Sequence, residues 1–354
     1  MGFSGMTGVL CSHWLSGTLT TAGTMAITIA RRNFITLLGG AIAARPLMAR
    51  GQQSGEVRRI GVLILGRESD PIAKNWVATF QAELQKMGWI DGSNLHMDLR
   101  FAEDTSDIQA LAKELVNLAP DLILVHSSPG TNAIQQQTKT IPIVFVAVGD
   151  PIANGFVKSI ARPEGNATGF TNLFPSIGGK WLELLKEAAP HIDRVGMLFN
   201  PELLFSGTYL PSIEATALSL GVQAVRAPYR NTAELEHEAA AIAAKPNGGV
   251  ILVPPLSTYP REFILQLEQD RLPAISNAKS FVSAGGLMSY GADNADLFRR
   301  AASYVDRILH GEKVSDLPIQ FPTKFEMALN LKTAKAMGLS LSPTLHALAT
   351  DMIE

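Results

Sequence analysis

The sequence contains almost no cysteine and no clear excess of either charge. Its one cysteine, Cys11, cannot form a disulfide within the chain or supply the paired ligands of a structural zinc site. Lysine and arginine number 30 against 32 acidic residues, so the composition gives no reason to expect nucleic acid or an anionic membrane as the partner. Hydrophobic residues make up 46% of the 354 residues and charged residues 18%, which excludes a disordered or fibrous chain.

The sequence also lacks the motifs of common catalytic and nucleotide-binding sites. There is no Gly-x-Ser-x-Gly elbow for a hydrolase nucleophile and no Gly-x-x-x-x-Gly-Lys-Ser/Thr loop for phosphates. The first predicted strand ends in a single Gly66 instead of the Gly-x-Gly-x-x-Gly loop of a dinucleotide site. We therefore predict a protein that is not an enzyme, with no catalytic residue, no metal and no cofactor. An exported α/β enzyme remains an alternative.

Residues 1–51 contain no aspartate or glutamate, although the chain as a whole has 32 acidic residues. Within this segment, Arg31 and Arg32 precede a short apolar stretch at residues 37–44, and small residues suggest cleavage before Gln52. This order is typical of a twin-arginine signal peptide, and the apolar stretch is shorter than the roughly 20 residues that span a bilayer. The alternative interpretation is an ordinary basic amphipathic helix.

From Arg58 onward, short runs of Ile, Val and Leu alternate with segments whose apolar residues recur every three or four positions. This alternation is typical of parallel strands that are covered by crossover helices, and it predicts an α/β fold with two similar lobes. The last strand is predicted at Phe325–Asn330. We predict a signal peptide and a misassigned upstream start (Met25 as initiator) in residues 1–51, an N-terminal lobe at 52–171, a C-terminal lobe at 172–291 and a returning segment shared between the lobes at 292–354.

Polar residues follow the predicted strands at the ends where ligands collect in open parallel sheets. The loop at residues 126–131 precedes a helix, so its hydroxyls and free backbone N–H groups suit a carboxylate. Asp150 is the candidate counter-charge for an ammonium group. Each residue has a structural alternative, because Asp-Pro and Asn-Pro pairs are common in turns and caps. The predicted ligand-binding residues are Gly66, Glu68, Ser127, Ser128, Thr131, Asp150, Asn200, Ser257, Tyr259 and Asn277.

The remaining candidates for chemistry are a histidine and several aromatic residues. His126 ends a predicted strand but has no Cys, His or carboxylate spaced beside it as a metal pair, so we expect a hydrogen-bonded structural residue. The tryptophans in helical or turn contexts are expected in the core: Trp76, Trp89 and Trp181. Four aromatic residues nearer the loops are candidates for the lining of an apolar pocket: Phe174, Tyr209, Tyr259 and Phe281.

Seven groups of short segments carry a resemblance to a known family. They lie at residues 31–34 with 37–40, 141–145 with 150–151, 161–170, 179–186, 199–201, 285–291 and 322–326. In this order they resemble the substrate-binding proteins of bacterial ABC importers, specifically the family assigned to tryptophan and tyrosine uptake. The resemblance implies a type I periplasmic-binding fold, with two Rossmann-like lobes, parallel sheets, three crossings and a ligand cleft between the lobes. Ser128 and Thr131 would face a carboxylate and Asp150 an amino group.

The resemblance also implies partners and a location. A periplasmic binding protein of this kind closes on a small ligand and delivers it to a membrane permease with an ATPase subunit, so its membrane contact is peripheral and made through the permease. Aromatic amino acids are the leading ligands, and other amino acids or small carboxylates are alternatives. A ligand sensor that uses the same cleft without transport is a second alternative. A DNA-binding regulator is disfavoured, because the N-terminus resembles an export signal and not a DNA-binding helix pair.

If Arg31 and Arg32 direct export, replacing both with lysine should leave the precursor in the cytoplasm, although the positive charge is unchanged. Cell fractionation followed by immunoblotting measures this. Replacing Arg45 and Arg50 with lysine in the same acid-free segment is the control and should leave export normal. Normal periplasmic accumulation of the Arg31 and Arg32 variant would argue for a different export route.

Overall fold

The computed structural model describes residues 57–103, 106–172, 175–202, 206–254 and 259–354. The predicted signal peptide, the proposed initiator Met25 and Ser257 lie outside these residues. In the first part of the described chain, strands and helices alternate. They are β1 (Arg58–Leu65), α1 (Pro71–Lys86), β2 (Leu95–Ala102), α2 (Ile108–Asn117), β3 (Leu122–His126), α3 (Ser128–Gln137), β4 (Ile143–Val148) and β5 (Ala167–Thr171).

The alternation continues to the end of the chain. The next elements are α4 (Ile177–Ala188), β6 (Arg194–Phe199), α5 (Leu210–Leu220), β7 (Gln223–Pro228), α6 (Thr232–Ala243), β8 (Gly248–Leu252), α7 (Arg261–Gln269), β9 (Ala274–Ser276), α8 (Lys279–Ser283) and β10 (Met288–Ala292). They are followed by α9 (Asn294–Leu309), β11 (Phe325–Asn330), α10 (Leu331–Ala336), α11 (Pro343–Leu348) and β12 (Asp351–Ile353). None of the helices within the described ranges is long and apolar enough to cross a membrane.

The described strands form two sheets, which define two lobes. The first lobe has the order β2-β1-β3-β4-β5, and the second has the order β12-β11-β10-β9-β8-β6-β7. Neighbouring strands run parallel except for β10 and β11. The predicted α/β fold with two mostly parallel sheets is confirmed. The prediction that Phe325–Asn330 is the last strand is wrong, because β12 adds three residues at the edge of the second sheet, too few to give a periodic signal.

The sheets are covered on both faces, as continuous apolar strands require. Every residue of β4 is buried, and α1 buries a stripe that includes Val77, Phe80 and Leu84. Asp70 begins α1 as an N-cap, since its carboxylate accepts a hydrogen bond of 2.9 Å from the Ile72 backbone N–H. Helix α9 follows a strand of the second lobe but packs its apolar side against α1 and the first sheet.

Because α9 returns to the first lobe, the described chain crosses between the lobes three times. The chain leaves the first sheet after β5, returns after β10 and crosses a third time just before β11. Because β5 is parallel to β4 and β10 is parallel to β9, both departures occur at carboxyl ends of strands. The carboxyl edges of the two sheets therefore both lie beside the crossings. On this basis we propose the division into residues 52–171, 172–291 and 292–354.

The second and third crossings are joined to each other. The Asp293 backbone N–H donates to the Lys324 carbonyl at 3.0 Å. The Asp296 carboxylate is almost fully buried and contacts both Lys324 Nζ at 3.1 Å and Arg299 Nη1 at 2.7 Å. These contacts connect the start of α9 with the segment that enters β11.

Gly169 lies in β5 with a φ of 152°, and a Cβ atom built there would be 2.0 Å from the Phe145 carbonyl oxygen. We expect Gly169→Ala to lower the free energy of unfolding by at least about 2 kcal/mol, because the backbone conformation and the contact are both unfavourable. Urea unfolding measures the change. Gly207→Ala is the control, since a Cβ atom at Gly207 meets no heavy atom within 4 Å. Equal unfolding midpoints for the two variants would contradict the prediction.

Candidate functional site

The order of the first sheet brings three loops together at its carboxyl edge. Strand β1 lies between β2 and β3, so the chain leaves β1 on one side and returns on the other, which is the arrangement that opens a crevice in α/β sheets. Leu63 pairs with Val125 and His126 pairs with Val146, so the loops after β1, β3 and β4 are neighbours. These loops contain most of the predicted ligand-binding residues of the first lobe.

The loop after β3 is held by its own hydroxyl groups. Ser127 has a φ of 75°, and its Oγ accepts a hydrogen bond from the Gly130 backbone N–H at 3.4 Å, which caps α3. The Thr131 hydroxyl is fully buried and donates to the Ser127 carbonyl at 2.8 Å. The Ser128 Oγ accepts a hydrogen bond of 3.0 Å from the Gly149 N–H. The structure thus brings the three predicted hydroxyls together at a helix N-terminus, and their contact with a carboxylate stays a prediction.

Asp150 lies next to this loop, because Gly149 is bonded to Ser128. One carboxylate oxygen, Oδ1, accepts hydrogen bonds of 3.0 Å from the backbone N–H groups of Ile152 and Ala153. Within the described residues, Oδ2 takes no hydrogen bond. Asp150 therefore combines the turn role that an Asp-Pro pair favours with one oxygen that is available to a ligand.

The carboxyl edge of the second sheet contributes two of the predicted residues. Leu198 pairs with Leu252, which pairs with Ser276, so the loops that start at Asn200 and Asn277 share this edge. Asn200 caps a turn, since its Oδ1 accepts a hydrogen bond of 2.9 Å from the Glu202 N–H. The Asn277 Oδ1 is buried and has no partner among the described residues.

Asn294 was not identified from the sequence, although its position is comparable with that of Asn277. Its Oδ1 is also buried without a hydrogen-bond partner in the described chain. Asn294 is the first residue of α9, and the nearby Gly291 lies so close to Asn277 that a Cβ atom there would be 2.0 Å from the Asn277 carbonyl oxygen. A buried amide oxygen without a partner costs about 1–3 kcal/mol, so these two oxygens are favourable positions for donors on a ligand.

The predicted residues Gly66, Glu68 and Tyr259 lie in three different environments. Gly66 has a φ of 146° at the end of β1, and Glu68 is exposed beside a small cavity of about 360 Å³. Tyr259 is only 4% exposed and lies in the core of the second lobe beside Phe263 and Phe281. Burial raises the pKa of Tyr259 well above its ordinary value, Tyr229 adds to the rise and Ser276 opposes it. The ligand contacts of these residues stay predictions.

The aromatic residues are arranged differently from the expectation. Trp181 is in the core, as predicted, and its Nε1 donates to the Tyr290 carbonyl at 2.7 Å. Tyr209 and Phe281 are buried in the core as well, and Phe174 lies outside the described residues.

Trp76 is only half-buried, and it forms a cluster with His126 and Phe298 at the carboxyl edge of the first sheet. His126 makes a hydrogen bond with the Leu65 backbone, as expected of a structural histidine, but its Nδ1 atom is buried without a partner among the described residues. Only the strand-end position of His126 could have pointed to this cluster from the sequence, because Phe298 belongs to the returning helix α9.

These features define a class of protein with two α/β lobes, short crossings and polar loops at the carboxyl edges beside the crossings. Residues 64–353 match the family described as ABC transporter substrate binding protein. The chain belongs to this family.

Three proteins are similar to this chain in sequence or in structure. A tyrosine-binding protein of Clostridioides difficile (strain R20291) is 29% identical over 265 residues, which cover 73% of this chain and 75% of the relative. A solved structure of a conserved domain protein from Vibrio cholerae is 25% identical, with a TM-score of 0.73 over 84% of this chain and 99% of that one. The ligand-free, open structure of a substrate-binding protein with adhesive properties from Clostridium difficile is 25% identical, with a TM-score of 0.68 over the same shares. The predicted type I periplasmic-binding fold is confirmed.

If Asp150 pairs with an ammonium group, Asp150→Asn should weaken ligand binding by about 1.5–3 kcal/mol, which is the range for hydrogen bonds to charged groups. Asparagine keeps an oxygen for the Ile152 and Ala153 N–H groups, so the turn should persist. Isothermal titration calorimetry measures the affinity, and Asp270→Asn at the exposed end of α7 makes the same charge change away from the site. Unchanged affinity in the Asp150 variant would remove Asp150 from the binding site.

Proposed function

We propose that this chain is the solute-binding component of a bacterial ABC importer and that it binds an aromatic amino acid between its two lobes. The observation that carries the proposal is the pairing of a helix N-terminus with a carboxylate. The start of α3 offers positive potential and the hydroxyls of Ser127 and Ser128, whose oxygens accept backbone hydrogen bonds and whose O–H groups can still donate, and Asp150 lies beside it with one available oxygen. An amino acid zwitterion presents the complementary carboxylate and ammonium groups.

The aromatic character of the ligand is inferred from two sources. The relative named as a tyrosine-binding protein matches this chain over about three quarters of both sequences. In addition, the half-buried Trp76 lies at the same sheet edge as the hydroxyl loop and Asp150. Other amino acids and small carboxylates are the alternative ligands.

Binding would be coupled to closure of the lobes. Three short crossings connect the lobes in the described chain, and the candidate residues lie on both sides of these crossings. A ligand that contacts both lobes stabilises the closed state by its additional contacts in that state. The closed protein would then dock on a membrane permease whose ATPase partner supplies the energy for uptake.

The site is better suited to binding than to catalysis. The Ser127 hydroxyl accepts a backbone hydrogen bond and the Thr131 hydroxyl donates to a backbone carbonyl, so both are engaged in holding the loop. Neither arrangement resembles a nucleophile that is activated by a neighbouring base. These arrangements favour a binding protein over an enzyme. We further propose that the protein is exported to the periplasm by the twin-arginine signal peptide at residues 1–51.

The first test is a thermal-shift screen of the purified protein, which is unfolded and refolded to remove bound ligand. A ligand at 100 times its dissociation constant should add about 2.7 kcal/mol to the free energy of unfolding. We expect a selective shift with tyrosine, tryptophan or phenylalanine, and no shift with tyramine or N-acetyltyrosine, because each lacks one charge of the zwitterion. A flat screen on a well-folded sample would overturn the proposed ligand class.

A further inference from the structure

We propose that Trp76 and His126 form the subsite that recognises the ligand's side chain, with Trp76 packing against its ring and His126 hydrogen-bonding a neutral polar group on it. This inference rests on the proposed function, because it requires an amino acid seated at the carboxyl edge of the first sheet. It adds a preference for aromatic side chains that carry a hydrogen-bond donor, such as a phenol or an indole.

The cluster is built from three elements that meet at this edge. Trp76 comes from the second turn of α1, His126 ends β3, and Phe298 lies in the second turn of α9. The Trp76 ring is stacked on Phe298 with centroids 5.7 Å apart and an interplanar angle of 10°. The His126 ring lies 4.9 Å from Trp76 and 6.0 Å from Phe298. Phe298 is fully buried, whereas Trp76 and His126 are half-buried, so the accessible surface of the cluster belongs to these two residues, although the Nδ1 atom of His126 is itself buried.

The position of the cluster connects it with the proposed ammonium and carboxylate site. His126 immediately precedes Ser127, which caps α3, and Ser128, which is bonded to Gly149 next to Asp150. An amino acid held at these loops by its charged groups is therefore within reach of the cluster. A side chain of aromatic size would extend the contact to Trp76, with offset or tilted ring packing.

The imidazole of His126 is suited to a neutral hydrogen-bonding group. Its Nδ1 is buried and makes no hydrogen bond with the described residues. Burial lowers the pKa of His126 to about 4, and a hydrogen bond with the Leu65 backbone opposes this fall. The ring is therefore neutral near pH 7. A neutral imidazole has one donor and one acceptor nitrogen, whereas a charged group on the ligand would gain no opposite charge from it.

A purely structural role explains these residues less well. Trp181 shows the structural pattern in this chain, since it is 1% exposed and its Nε1 is bonded to the Tyr290 carbonyl. Trp76 keeps an accessible surface, and its neighbour His126 has an unsatisfied nitrogen. Both features are explained if a ligand covers the cluster and supplies the missing hydrogen bond.

Calorimetry with matched ligand pairs tests the proposal on the full-length purified protein. The pairs are tyrosine against phenylalanine and tryptophan against 1-methyltryptophan, because the members of each pair differ in one N–H or O–H donor. We expect the wild-type protein to prefer the donor-bearing member of at least one pair by tenfold or more, since a site with a buried polar group rejects a ligand that leaves it unpaired. Equal affinities within both pairs would overturn the role of His126.

The variants separate the two residues. His126→Phe should reduce the preference to less than about threefold while phenylalanine affinity stays within about threefold, and His126→Gln, which keeps a donor and an acceptor, should retain part of the preference. Trp76→Leu should weaken all aromatic ligands by about tenfold. Trp89→Leu is the matched control, because Trp89 is also half-buried in the first lobe but donates to Asp306 at 2.9 Å. Near-ultraviolet circular dichroism checks that each variant is folded.

The outcomes distinguish this proposal from the proposed function. If the wild-type protein binds no aromatic amino acid, the proposed ligand class and the subsite both fail. If it binds them but His126→Phe keeps the full preference, or Trp76→Leu binds like Trp89→Leu, only the subsite fails. Should His126→Phe not fold, the comparison of His126→Gln with wild type and of Trp76→Leu with Trp89→Leu still decides between the outcomes.

Discussion

The two lobes are connected at the carboxyl edges of their sheets, and the position of the candidate site follows from this connection. The strands that leave each lobe, β5 and β10, run parallel to β4 and β9, so the loops that follow these parallel strands lie on the same edge as a crossing. Asp296 and Lys324 then join the second crossing to the third. Because the Asp296 carboxylate is buried, its cationic partners Lys324 and Arg299 offset the cost of removing its charge from water.

The connection of the lobes also explains why the segments that resemble the family do not identify the ligand. Lys324, in the segment at 322–326, serves the crossings, and Trp181, in the segment at 179–186, bonds to the backbone of β10. Gly169 permits the close approach of β5 to β4, and Gly291 permits the close approach of the chain to Asn277. Such residues are required by the architecture whatever the cleft contains. Apart from Asp150 and Asn200, the predicted ligand-binding residues lie between these segments.

The sequence was sufficient for the fold class, because parallel strands that are buried on both faces leave a clear alternation of apolar runs and helical stripes. It was insufficient for β12, whose three residues at a sheet edge form no periodic pattern. A returning segment at 292–354 shared between the lobes was predicted, but the sequence did not show that α9 packs against α1, since an amphipathic helix does not specify which apolar surface it covers.

The same limitation applied to the candidate site. The hydroxyl loop and Asp150 could be predicted because their positions after strands place them at one edge. The cluster of Trp76, His126 and Phe298 could not, because it depends on the packing of α9 against α1. The unsatisfied oxygen of Asn294 likewise became visible only from its three-dimensional surroundings.

The unsatisfied polar atoms suggest how such a site distinguishes among ligands. His126 Nδ1, Asn277 Oδ1 and Asn294 Oδ1 are already shielded from solvent, and each costs about 1–3 kcal/mol while it lacks a partner. A ligand that supplies these partners recovers this free energy on binding, whereas an apolar ligand of the same size does not. Binding selectivity would therefore depend on the number of matched hydrogen bonds more than on the apolar area that is covered. Because Asn277 lies in the second lobe and His126 in the first, the ligand that satisfies both would also be the one that holds the lobes together.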